Sequence, residues 1–151
     1  LRGSANSLNI DIQAVIANYD SLQSLTSKFN IPFHLISHVG LSREAHSNQM
    51  KSIIDQYEVD YIILAKYMRI LPPSFVDHYK LKIINIHHSF LPAFIGANPY
   101  LQAFERGVKV IGATSHFVTA DLDEGPIIEQ DILHINHSYN AKELSDLGKI
   151  D

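Results

Sequence analysis

The chain contains no cysteine, which excludes disulfide scaffolds, thiolate metal sites and a cysteine nucleophile. Long apolar runs are missing as well: none approaches the ~20 residues that a membrane span requires. Basic residues are few and scattered. Twelve Lys and Arg against 16 Asp and Glu leave a net charge of -4, a balance that argues against nucleic acid as the main partner. No secretory signal is visible, so the cytoplasm is the expected location. The GxGxxG and P-loop patterns and the helical HExxH pair are absent. So is the GxSxG elbow, which makes Ser89 and Ser115 poor candidate nucleophiles. The opening Leu1-Arg2-Gly3-Ser4 reads as a tag, linker or remnant, and one domain is expected over 5–151.

What is present is a regular alternation of strand-like and helix-like segments. The chain is 151 residues long and 46% hydrophobic, enough for one domain with a sizeable core. Ile12 to Ala17 reads as a strand, and Asp20 can cap a helix with Leu22, Leu25 and Phe29 on one side. Pro32 stops that helix, and Phe33 to Ile36 is strand-like. Ser42 precedes a helix with Met50, Ile53, Ile54 and Tyr57 in helical spacing. Tyr61 to Ala65 is a continuous apolar run, as expected of a strand buried on both faces. Pro72 and Pro73 open a short helix through Tyr79, and Lys82 to Ile86 is another strand. A helix starts at Asn98-Pro99 and stops at Gly107. Lys109 to Val118 and Ile127 to Ile135 are strands, and a last helix is expected from near Asn140. The pattern predicts an open, mostly parallel twisted α/β sheet with helices on both faces. In such sheets ligands bind beyond the carboxyl ends of the strands, and the polar residues of this sequence cluster there.

In Asn85-Ile86-His87-His88-Ser89, the first and third side chains point the same way at a strand end, and His88 points the other way. An amide beside an imidazole can stabilise a developing oxyanion, although a satisfied polar pair would look the same. Asp123 falls in Asp123-Glu124-Gly125-Pro126, a sequence that also suits an ordinary turn. A carboxylate close to His87 favours the imidazolium and can take a proton from water. His116 reads either as a supporting residue or as a core histidine bonded to backbone. Met68-Arg69-Ile70-Leu71 follows a strand and can present backbone groups to a flat heterocycle, or serve as a plain connection. Arg43 stands at a helix start, where a cation is disfavoured by the helix dipole, and so hints at an anionic ligand. The nine histidines show no zinc-like spacing, and no metal is expected.

These segments together resemble the formyltetrahydrofolate-dependent formyltransferase superfamily. Asn85-Ile86-His87, followed by Ser89-Phe90-Leu91-Pro92, is similar to its core motif. His116-Phe117-Val118-Thr119 and Asp123-Glu124-Gly125-Pro126 are similar to its downstream aspartate segment. The stretch from His87 through Tyr100 resembles the deformylase branch of the family; the glycinamide ribonucleotide branch usually has proline where His88 stands. The resemblance implies Asn85, His87 and Asp123 as catalytic residues. It implies Arg43, Met68, Arg69, Ile70, Leu71 and Val118 as folate-binding residues, with His116, Ser89 and Gly125 in support. The activity it implies is hydrolysis of 10-formyltetrahydrofolate, which feeds formate to purine biosynthesis and balances one-carbon pools. Two alternatives stand beside it: formyl transfer to an amine acceptor, and folate binding by an inactive fragment. No cofactor beyond the folate substrate is implied, and neither nucleic acid nor membrane as a partner. A homo-oligomer is implied for the full-length protein, with an N-terminal regulatory domain of the ACT type that this chain lacks. The first strand and last helix of the catalytic domain are expected to be missing too.

Overall fold

Residues 10–89, 91, 99–135 and 143 are described in the computed structural model of the chain. They fall into two compact units, one ending at Val59 and one beginning at Asp60. Residues 1–4 and the start of the helix expected near Asn140 lie outside the described residues.

The first unit runs β1 (Val15–Ala17), α1 (Gln23–Lys28), β2 (Phe33–Leu35) and α2 (Arg43–Ile54). β1 and β2 pair in parallel. α2 begins as the sequence predicts: the Ser42 hydroxyl accepts from the Ala45 amide at 3.1 Å, satisfying one of the free donors of the first turn. Met50 and Ile54 are its buried apolar residues, four apart on one face. The first helix departs from expectation. Asp20 lies in a short 3-10 turn, and no side chain caps α1. Leu22, Leu25 and Phe29 are exposed. The buried residue of α1 is Thr26, whose hydroxyl turns back to the carbonyls of Leu22 and Gln23. A six-residue helix beside two three-residue strands has little apolar surface to cover, so local hydrogen bonding decides which side faces inward.

The second unit runs β3 (Ile62–Leu64), α3 (Pro73–His78), β4 (Ile83–His87), α4 (Pro99–Glu105), β5 (Val110–Phe117) and β6 (Ile127–His134). Its strands lie in the order β3-β4-β5-β6. β3 and β4 are parallel, joined by a crossover that carries α3, whereas β5 and β6 run antiparallel to their neighbours. The β5–β6 link spans only 118–126, and a short link of this kind joins antiparallel strands. Pro73 opens α3, a position that costs no helical hydrogen bond. Phe75 and Val76 of α3, Tyr79 just after it and Ile83 at the start of β4 are buried, with the Phe75 and Tyr79 rings edge to face at 4.9 Å. Burying one such side chain stabilises the fold by about 1.5–3 kcal/mol. Gly107 ends α4 at φ 61°, the left-handed conformation of a helix stop. Ala103 of α4 and Ile111 of β5 form a buried cluster, with Val108, Leu133 and Ile135 packed against it.

The run at Tyr61–Ala65 is not buried on both faces. Tyr61 is 57% exposed and Ile63 58%. β3 is the end strand of its sheet, and its side chains alternate between faces. Ile63 and Tyr61 lie on the exposed face.

Candidate active site

Asn85 and His87 occupy the carboxyl end of β4. In the antiparallel ladder Asn85 stands opposite His116 and His87 opposite Thr114. Directly opposed residues project from the same face, so these four polar side chains form one block. His88 follows on the other side and is exposed. Partial desolvation first, then the charges of His87 and Lys66, push its imidazole below the ordinary histidine value.

Asp123 reaches this block from the turn after β5. Its backbone sits at φ 56°, a left-handed conformation that Asp and Asn tolerate and most residues do not. Its carboxylate is only 6% exposed and lies between two imidazoles: Oδ2 is 3.8 Å from His87 Nδ1, and Oδ1 is 3.7 Å from His116 Nε2. These are distances of charge pairing rather than of direct hydrogen bonds. His116, 2% exposed, is held from its other side. Its Nδ1 lies 3.0 Å from the Phe117 carbonyl, which can only accept, so Nδ1 carries the proton. Nε2 then faces Asp123 and, at 3.5 Å, the Asn85 amide nitrogen.

The turn that delivers Asp123 is closed by backbone. The Phe117 amide donates to the Pro126 carbonyl at 2.9 Å, and the Thr119 hydroxyl donates to the Asp121 carbonyl at 3.1 Å. Gly125 is buried so close to β5 that a Cβ there would stand 1.6 Å from the Phe117 carbonyl oxygen. Val118 continues β5, and its amide donates to the Ile83 carbonyl at 2.8 Å.

The loop after β3 carries the other predicted binding residues. Lys66 starts it at φ 51°. Met68 is 83% exposed, Ile70 is exposed, and Leu71 is buried. The Arg69 guanidinium hydrogen-bonds the Tyr67 phenol, and its Nε is buried with no partner. Burial pushes the Tyr67 hydroxyl above its ordinary range, and the charge and hydrogen bond of Arg69 oppose that shift. Ser89 is buried, and its hydroxyl also has no partner. Arg43 belongs to the first unit, where it is exposed at the first position of α2.

The structure thus gathers Asn85, His87, His116 and Asp123 into one cluster, with Gly125 shaping the turn. Among the described residues no three His, Asp or Glu side chains form a group that could hold a metal ion, and no helix is long and apolar enough to cross a membrane. Thr114 and Gln130 also belong to this region, and sequence reasoning passed over both. A signal was present: Thr114 lies two residues before His116 on one strand, so the two share a face. Gln130 is the one amide in Ile127–His134, between two carboxylates.

A family model described as formyl transferase matches residues 2–149. The formyltetrahydrofolate deformylase of Escherichia coli O6:H1 is 56% identical over 149 residues, covering 99% of this chain and 53% of that protein. That of Bacillus subtilis is 53% identical, covering 94% of this chain and 47% of the relative. The chain therefore spans about half the length of these curated relatives. Among solved structures, a formyltetrahydrofolate deformylase from Pseudomonas syringae superposes with a TM-score of 0.88 at 42% identity, over 94% of this chain and 48% of that one. A phosphoribosylglycinamide formyltransferase from Coxiella burnetii gives 0.86 at 36% identity, over 95% and 71%.

Proposed function

Because this chain belongs to the formyl transferase family, whose model spans residues 2–149, we propose that its site hydrolyses 10-formyltetrahydrofolate to formate and tetrahydrofolate. The observation that carries this reading is the buried Asp123 carboxylate, set beside His87 and the Asn85–His116 pair at a strand end. Asp123 takes a proton from water, and the hydroxide adds to the formyl carbon. The charge that develops on the formyl oxygen is met by hydrogen bonds from the Asn85 amide and the His87 imidazolium. The bond from carbon to N10 then breaks, N10 takes the His87 proton, and formate departs. While still a carboxylate, before it takes the water proton, Asp123 supports the positive charge on His87; once formate has left, the Asp123 proton restores the His87 imidazolium and the proton of the added hydroxyl goes to solvent.

Folate recognition falls to Met68, Arg69, Ile70 and Leu71 as the pterin segment, to Val118, and to Arg43, which meets the anionic glutamate tail or the nearby linker. The reaction needs no metal and no cofactor beyond the folate substrate. On the same reading the intact enzyme is a cytoplasmic homo-oligomer with an N-terminal regulatory domain of the ACT type.

The second reading is formyl transfer to an amine, favoured by the likeness to the Coxiella burnetii formyltransferase. The 56% identity to a named deformylase supports hydrolysis over transfer. The test is formate release from 10-formyltetrahydrofolate by the intact protein with no acceptor present. Steady release supports the deformylase; release only on adding an amine supports the transferase. Folate binding with neither reaction supports an inactive binding protein.

A further inference from the structure

Thr114 is 0% exposed and lies in one cross-strand row with His87 on β4 and Gln130 on β6. Its hydroxyl donates to the Ser89 carbonyl at 2.7 Å and accepts from the Leu91 amide at 3.1 Å and from Gln130 Nε2 at 3.0 Å. One donor and two lone pairs are thereby all used. The same Gln130 nitrogen donates its other hydrogen to the Leu91 carbonyl at 3.0 Å. Three backbone groups of the segment leaving β4 are thus held by two side chains from β5 and β6. The clamp is fastened close to the catalytic strand end, because the Ser89 amide donates to the His87 carbonyl at 2.8 Å.

A buried strand position is filled well by valine, which has the shape of threonine and no polar group to desolvate. Here the hydroxyl instead satisfies two backbone groups of the segment leaving β4, so its place is set by that segment and not by the strand. We infer that Thr114 and Gln130 are positioning residues: they fix the chain at Ser89 and Leu91, just after His87, and so hold its imidazole at the Asp123 carboxylate. Neither side chain takes part in the reaction. This inference rests on the deformylase reading for its kinetic consequence, but its geometric content stands apart from it.

The experiment compares Thr114→Val, Thr114→Ser and Gln130→Met in the intact protein. Thr114→Val removes all three hydroxyl contacts at nearly constant shape. The expected result is a kcat lower by roughly 10-fold to 100-fold, the scale of an ångström-sized misplacement, with KM for 10-formyltetrahydrofolate unchanged. Thr114→Ser restores most of the rate. Gln130→Met, at a half-buried position, gives a smaller fall of the same kind and serves if Thr114→Val does not fold. NMR resonances of the His87 ring move in Thr114→Val and Gln130→Met and return in Thr114→Ser. Adding Thr114→Val to His87→Ala costs nothing further, since both act through one group. Unmoved His87 resonances, or a rate loss that adds fully to that of His87→Ala, overturn the inference. If the unaltered protein releases no formate, the deformylase reading fails, and the His87 resonances still decide whether the clamp holds the imidazole.

Discussion

His87 Nδ1 and Asp123 Oδ2 stand 3.8 Å apart in a site where the carboxylate is 6% exposed. Two residues 36 positions apart in sequence are paired because the turn after β5 holds Asp123 in a left-handed backbone at φ 56°. Asparagine is the substitution that separates the two roles of this residue, since it tolerates that backbone as well as aspartate does. Asp123→Asn is expected to melt near the unaltered protein while formate release falls by about 10²-fold to 10⁴-fold, the range of a lost general base. Circular dichroism melting and a formate assay check both halves. Activity close to the unaltered rate removes Asp123 from the mechanism.

Asn85 is expected to matter for rate and not for binding. Asn85→Ala should lower kcat by about 10²-fold to 10³-fold, as for one lost oxyanion donor, while a non-reactive folate analogue binds as before. Its amide also faces His116, so the analogue measurement is needed to separate a lost donor from a disturbed pocket. Weakened analogue binding with unchanged kcat would reassign Asn85 to substrate recognition.

Gly125 offers a test of the turn itself. A Cβ at this position meets the Phe117 carbonyl oxygen at 1.6 Å, and that carbonyl also accepts from His116. Backbone cannot yield as a side-chain tip can. Gly125→Ala should therefore cost about 1–3 kcal/mol in a denaturant titration, the scale of overpacking, and should lower activity by moving Asp123 and His116. A variant as stable and active as its parent would show that the turn relaxes freely.

Arg43 is exposed at the start of α2, and on the proposed reading it meets the substrate's anion without taking part in the chemistry. Arg43→Ala is expected to raise KM severalfold with kcat nearly unchanged, the signature of uniform binding lost. The effect should shrink as salt rises, because an exposed charge is screened. Equal KM in both proteins at low salt leaves Arg43 as a surface charge.

Much of this was legible from local pattern. Period two placed Asn85 and His87 on one face, Ser42 announced α2, and Gly107 announced the end of α4, because each depends on neighbours within a few residues. The exposed Ile63 of β3 was not legible, since an apolar run does not reveal whether its strand sits at the end of a sheet. The outward Leu25 of α1 and Phe29 just after it were missed for a similar reason: periodicity shows that a helix has an apolar side, not that anything covers it. The approach of Asp123 to both His87 and His116 depends on the β4–β5 register and on one left-handed residue. Short-range spacing encodes neither. Thr114 was overlooked because its partners, Ser89 and Leu91 after β4 and Gln130 on β6, lie far from it in sequence.

The deformylase reading is tested most directly by incubating the intact protein with 10-formyltetrahydrofolate in water enriched in oxygen-18, with no amine acceptor, and weighing the formate by mass spectrometry. The account predicts formate bearing one labelled oxygen, formed in step with tetrahydrofolate and nearly abolished by Asp123→Asn. Absence of labelled formate, with the formyl group recovered on an amine once one is supplied, would contradict it.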